Sequence, residues 1–325
     1  MTLHFLTAPR KVAMIIFLLL VTFLLESQSS SADDLTPIEN NIPPSPKENF
    51  NEREFQTNNK FKVDFKPKGN RNQEASAGKV PLNFRDQIVG GSKAKKGQFP
   101  WQVLVTIDEK YTCGGSLIDP IWVLTAAHCC YGFNTFMASV GLVNRTINEP
   151  SRVDVDVQSV HIHPKYDSDF LTADICLLKL QKALDTSGPF VTTVRLPKIS
   201  DATISLVKVT GTISGWGKTS DESGSSDVLK YVPRTVIDNK ECAKVYGSTT
   251  VNGNLLCITN KDKQGTCQGD SGGPFVRTET DNKFTQIGLV SFGSSVSCVT
   301  YPSGFTRVSA YIGWISDVTG LKMRN

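Results

Sequence analysis

From Ile88 onward the apolar positions fall in short β-branched and aromatic runs cut by Gly, Pro and Asn, as in Gln102–Ile107, Arg152–Val160, Leu206–Ser214 and Gln286–Phe292. Runs of that length and spacing predict an all-β barrel or sandwich. Val308, Tyr311, Ile312 and Ile315 recur at helical spacing and predict a short C-terminal helix over about 306–320, docked on the last strands. The pattern is different before Ile88. Residues 33–87 are polar, rich in Asn, Lys, Glu and Pro, and contain no cysteine. Such a composition buries too little apolar surface to offset ordering, so this stretch is expected to be mostly disordered. At the N-terminus Arg10 and Lys11 precede the apolar run Val12–Leu25, broken only by Thr22. A membrane-spanning helix needs about 20 residues for a core of about 30 Å, and this run is shorter. With Ser29-Ser30-Ser31-Ala32 following, residues 1–32 are expected to be a cleaved secretory signal, the alternative being an uncleaved anchor.

Composition narrows the partners. The formal net charge of +4 is spread along the chain, with no basic and aromatic interleaving of the kind that binds nucleic acid. Eight cysteines fit an exported, disulfide-bonded protein, hence a secreted, extracellular location with no membrane association after signal removal. Asn144-Arg145-Thr146 is a glycosylation sequon in an expected surface loop, so Asn144 carries a glycan or stands unmodified.

The candidate chemistry centres on Gly265-Thr266-Cys267-Gln268-Gly269-Asp270-Ser271-Gly272-Gly273-Pro274. Glycines on both sides of Ser271 permit backbone angles that let successive N–H groups converge on a developing anion. A hydroxyl at such a point can attack a carbonyl if a base takes its proton. The plain alternative is a glycine-rich turn with an ordinary serine. Imidazole is the matched base, and only His4, His128, His161 and His163 exist. His4 lies in the expected signal, while His161 and His163 precede Pro164 at a strand end. His128 closes the apolar run Trp122-Val123-Leu124-Thr125-Ala126-Ala127 and is the candidate. Asp174 opens the apolar strand Ile175–Leu180, where a carboxylate needs a partner, and is the candidate to orient the imidazole.

These segments, with Ile88-Val89-Gly90-Gly91, Gly97-Gln98-Phe99-Pro100-Trp101, Cys113-Gly114-Gly115-Ser116-Leu117, Gly215-Trp216-Gly217 and Phe305-Thr306-Arg307-Val308, resemble the chymotrypsin/trypsin family of serine endopeptidases over residues 88 to about 320. The order histidine, aspartate, serine is that family's, unlike subtilisins or α/β-hydrolases. The resemblance implies two packed six-stranded antiparallel β-barrels, about 88–195 and 196–305, then the helix, with the site between the barrels. It also implies His128 as base, Asp174 as its orienting acid and Ser271 as nucleophile, with Gly269 and Ser271 N–H groups as the oxyanion hole. Ser291 and Gly293 would pair with the substrate backbone. By the same resemblance the disulfides are Cys113–Cys129, Cys242–Cys257 and Cys267–Cys298. Cys130 and Cys176 are left over. Strand alternation aims Cys176 the same way as Asp174, which suggests a fourth bridge, Cys130–Cys176, the alternative being two free thiols.

The resemblance further implies a specificity pocket at Gly265, Thr266, Ser291, Gly293 and Ser303. Gly265 stands where trypsin-like members place an aspartate, and Ser303 is also uncharged, so a buried Lys or Arg would lack a counterion. An open apolar slot for Phe, Tyr, Leu or Met is expected, with broader collagenolytic or elastase-like cleavage as the rival and a non-catalytic secreted homologue behind it. The family is activated when a new N-terminal Ile pairs with the aspartate beside the nucleophile, here Ile88 and Asp270. Asp86-Gln87 intervene between Arg85 and Ile88, so activation needs cleavage after Arg85 followed by dipeptide removal, or direct cleavage after Gln87. An activating protease and protein inhibitors are the implied partners beside protein substrates. No cofactor or metal is expected, since the 142–152 stretch offers only Glu149 as a carboxylate.

Overall fold

The computed structural model describes residues 91–260, 264–294 and 297–325. The expected signal, the propeptide and Ile88 lie outside the described residues. Strand β1 is Ser92–Lys93, followed by β2 (Gln102–Ile107), β3 (Tyr111–Asp119), β4 (Trp122–Thr125), β5 (Phe136–Val140), β6 (Val153–Ile162) and β7 (Cys176–Leu180). Strands β2 to β7 close a six-stranded antiparallel barrel in the order β2-β3-β4-β7-β6-β5. The tight link from β2 to β3 runs through Asp108 and Glu109 at φ 46° and 58°, the left-handed pair a short hairpin turn requires. The Asp108 carboxylate also accepts from Thr135 N–H at 2.8 Å, pinning the hairpin to the approach to β5.

The second barrel uses β8 (Thr210–Gly215), β9 (Lys230–Ile237), β10 (Leu255–Ile258), β11 (Pro274–Thr278), β12 (Phe284–Phe292) and β13 (Ser303–Arg307). Its order is β9-β10-β13-β12-β11-β8, and the β8–β9 pairing closes it, with β1 added on β9. Both six-stranded barrels of the expected all-β fold are therefore present. Helix α1 (Asn239–Tyr246) is capped by Asp238, whose side chain accepts from Lys240 N–H at 2.9 Å.

The C-terminal helix differs from expectation in its start and its seat. Strand β13 continues to Arg307, a tight 3-10 turn covers Val308–Tyr311, and helix α2 spans Ile312–Thr319. Ile312 and Ile315 join the apolar cluster that contains the first barrel's core. Tyr311 and Trp314 pack edge-on against His163 at ring distances of 5.1 and 5.0 Å, so the helix docks against the end of β6 in the first barrel. Among the described residues no helix is long and apolar enough to cross a membrane.

Candidate active site

Register puts the imidazole and its carboxylate side by side. In the β4–β7 pair Thr125 stands opposite Cys176, so the turn leaving β4 and the residues entering β7 share one edge of the barrel. His128 sits in the 3-10 turn Ala127–Cys129 just beyond β4. Asp174 arrives through Leu171 and Ala173, both at φ 50°, a left-handed backbone that non-glycine residues hold only where surroundings enforce it. Its carboxylate is fully buried and takes a donor on each oxygen. Oδ1 accepts from the His128 main-chain N–H at 2.9 Å, and Oδ2 lies 2.8 Å from the ring Nδ1. The second barrel adds Ser291 Oγ, which donates to Oδ2 at 2.6 Å, and Thr306 Oγ1, which donates to the Asp174 carbonyl at 2.7 Å. Burial alone would depress the His128 pKa, but the Asp174 charge and hydrogen bond outweigh it and hold the pKa above the ordinary value. The ring keeps an edge to solvent, at 20% side-chain exposure.

The Ser271 segment is stitched to the same edge. Gly114 N–H donates to the Ser271 carbonyl at 2.7 Å. A Cβ on Gly272 (φ 75°) would collide with Thr125 Oγ1, the Gly114 carbonyl and Ala126 N, so only glycine lets the serine turn approach the residues before His128. The N–H groups of Asp270, Gly272 and Gly273 bond to Cys267, Val290 and Asp270 carbonyls respectively. Those of Gly269 and Ser271 have no partner among the described residues. Asp270 is fully buried, its carboxylate accepting from Gly217 N–H at 2.8 Å and Cys267 N–H at 3.0 Å. Burial, only partly offset by those bonds, pushes its pKa up to about 6.

Four disulfides brace the site: Cys113–Cys129, Cys130–Cys176, Cys242–Cys257 and Cys267–Cys298. Cys129 ends the turn that holds His128 and Cys130 follows it, and Cys176 begins β7 two residues after Asp174. Two groupings of possible metal ligands occur among the described residues, and both use cysteines already joined in disulfides. Glu149 serves its own loop, accepting from Val143 and Asn144 N–H at 2.8 and 2.6 Å and pairing with Lys96. Asn144 Oδ1 accepts from Thr146 N–H and Oγ1 at 2.9 and 2.8 Å at the rim of that loop.

Of the expected pocket residues, Gly265, Thr266, Gly293 and Ser303 come together with Asn260, while the Ser291 hydroxyl is turned to Asp174. A Cβ on Gly293 would stand 3.5 Å from Ser303 Oγ, and Ser303 Oγ lies 3.4 Å from Thr266 Oγ1. The expected open apolar slot is thus polar at its base. Asn260 supplies most of that polarity: 3% exposed, it lies against Gly265 and donates to Ser303 Oγ at 2.9 Å. Nothing in the sequence singles Asn260 out, because a polar residue ending a strand reads as a turn. Nor does any local pattern mark the Ser291 hydroxyl or Thr306 as supports of Asp174.

Relatives place this arrangement. The family model described as Trypsin matches residues 88–315. Brachyurin of Leptuca pugilator is 39% identical over 72% of this chain and 99% of its own length. Chymotrypsin of Phaedon cochleariae is 39% identical over 70% of this chain and 81% of its own. A solved structure of HL collagenase aligns with TM-score 0.65 at 32% identity, covering 72% of this chain and 100% of that chain. The chain belongs to the trypsin family and is a serine endopeptidase acting on protein or peptide substrates.

Proposed function

We propose that this is a secreted endopeptidase made as a zymogen, with residues 1–32 as signal, 33–87 as propeptide and 88–325 as the protease domain. The observation that carries the catalytic assignment is the Asp174 carboxylate, which holds both the main chain and the ring of His128 within 2.9 Å while the Ser271 turn packs against the same strand end. Ser271 Oγ attacks the peptide carbonyl carbon as His128 Nε2 takes its proton. The oxyanion forms where the unpaired Gly269 and Ser271 N–H groups can receive it. His128 then gives the proton to the leaving amine, and water repeats the steps on the acyl-enzyme to release the acid. Asp174 supports the imidazolium that appears in each half.

The pocket of Gly265, Thr266, Ser303 and Asn260 carries no charge, so a cationic side chain would be desolvated without a counterion. Cleavage after large apolar or aromatic residues is the reading we adopt. A broader, collagenolytic specificity is the second, favoured by the similarity to proteins named brachyurin and collagenase. Activation would free Ile88 to pair with Asp270, through an activating protease, and protein inhibitors would be the natural counterparts outside the cell. Asn144, half-buried beside the exposed residues 146–148, is the glycan acceptor in this reading.

Ser271→Ala should lose at least about 10⁴-fold in turnover and all labelling by an active-site phosphonate. Retained labelling would reject the nucleophile. A panel of peptide substrates decides specificity, and preferential cleavage after Arg would reject the uncharged-pocket reading.

A further inference from the structure

Asn260 follows β10 and its amide is turned by three acceptors. Nδ2 donates to the Cys298 carbonyl at 3.1 Å, the Tyr301 carbonyl at 2.8 Å and Ser303 Oγ at 2.9 Å. Two carbonyls on one end fix that end as the nitrogen, because a carbonyl oxygen there would face acceptors alone. The amide lies alongside Gly265, with Oδ1 its nearest atom at 2.7 Å from where a Cβ on that residue would stand. Oδ1 is buried and has no hydrogen-bond partner among the described residues. A buried acceptor without a donor is unfavourable and uncommon in folded proteins unless an incoming group supplies the donor.

Gly265 explains why the amide can lie there. Any side chain at 265 would meet Asn260 Oδ1, Cγ and Nδ2 between 2.7 and 2.9 Å. The glycine clears the pocket floor, and an uncharged carbonyl from another segment takes the space. A carbonyl discriminates by donor rather than by charge. A Lys or Arg tip would bring a cation that meets no carboxylate among the described pocket residues. A Phe ring would fill the pocket and leave the acceptor orphaned and desolvated.

We propose that Asn260 is a specificity-determining residue: its Oδ1 accepts a hydrogen bond from the tip of an aromatic side chain, so that tyrosine is preferred over phenylalanine before the scissile bond. The proposal rests on the reading of Gly265 as the pocket floor and of large apolar or aromatic side chains as its occupants.

The test uses the activated full-length enzyme and substrates identical except for Tyr, 4-aminophenylalanine, Phe, Leu or Arg before the scissile bond. Tyr and 4-aminophenylalanine should both exceed Phe about tenfold in kcat/KM, the scale of one neutral hydrogen bond completed in a desolvated site. In Asn260→Leu the Tyr-to-Phe ratio should fall to near one. That ratio is taken on one preparation with sites titrated by phosphonate, so loss of folded protein does not enter it. Should that variant fail to fold, Gly265→Ala, whose methyl displaces Oδ1, should collapse the same ratio. Equal or better cleavage after Phe by the unaltered enzyme overturns the proposal, as does a ratio unchanged in either variant. Cleavage after Arg with none after any aromatic residue would overturn the underlying pocket reading, a distinguishable failure.

Discussion

Asp174 is a buried carboxylate whose oxygens are given donors from both barrels, so its role is decided by neighbours more than by its place in the chain. Because its charge holds the His128 pKa above the ordinary histidine value of about 6.5, the base is neutral only above that raised value. Activity should therefore fall as pH drops through a point above the ordinary histidine value. Asp174→Asn removes the charge and presents an N–H to the ring, favouring the wrong tautomer. The acid limb of kcat/KM should then move to lower pH and the rate should drop about 10⁴-fold, the scale typical of chymotrypsin-type triads. A pH–rate profile of both enzymes checks it, and an unmoved acid limb would remove Asp174 from the assignment. At this scale the proposed reactive groups were legible as candidates, because serine, imidazole and acid each stand in a local pattern that needs chemistry. Asn260 was not legible, since its setting comes from residue 265 and the 298–303 segment folding around it.

Strand pairing does the positioning at the next scale. Thr125 opposite Cys176 aligns two strand ends, and the Cys130–Cys176 bridge ties the first residue of β7 to the chain beyond β4. Replacing both cysteines by serine opens a loop of 46 residues and should cost about 2–4 kcal/mol of stability, read from denaturant unfolding. Turnover per titrated site should fall far less than in Asp174→Asn, because the Ser291 and main-chain bonds to Asp174 remain. The strands themselves were readable from short β-branched and aromatic runs cut by turn residues. Where α2 docks was not. Its apolar face suits either barrel, and the ring contacts of Tyr311 and Trp314 with His163 decide for the first.

For the whole molecule the telling group is Asp270. Burial raises its pKa to about 6, so between its unfolded value near 4 and about 6 the folded chain binds the proton more tightly. Its contribution to stability is therefore retained at low pH and lost as pH rises through that window. In the uncleaved chain the Tm should fall as pH rises from about 4 to about 6, and Asp270→Asn should remove that part of the pH dependence, measured by calorimetry. In the processed enzyme the same change should abolish activity, since the proposed Ile88 ammonium loses its partner. N-terminal sequencing should find Ile88 first, and full activity with Asp86 first would reject that account.

Local spacing was enough to determine the strands and the family and to nominate the glycine turn and the base, because those features are written within a few consecutive residues. Only the tertiary structure decided which hydroxyls support Asp174, where the last helix rests and what stands beneath Gly265. Those outcomes depend on contacts between residues far apart in the chain, and no local pattern encodes the space that two closed barrels leave between them.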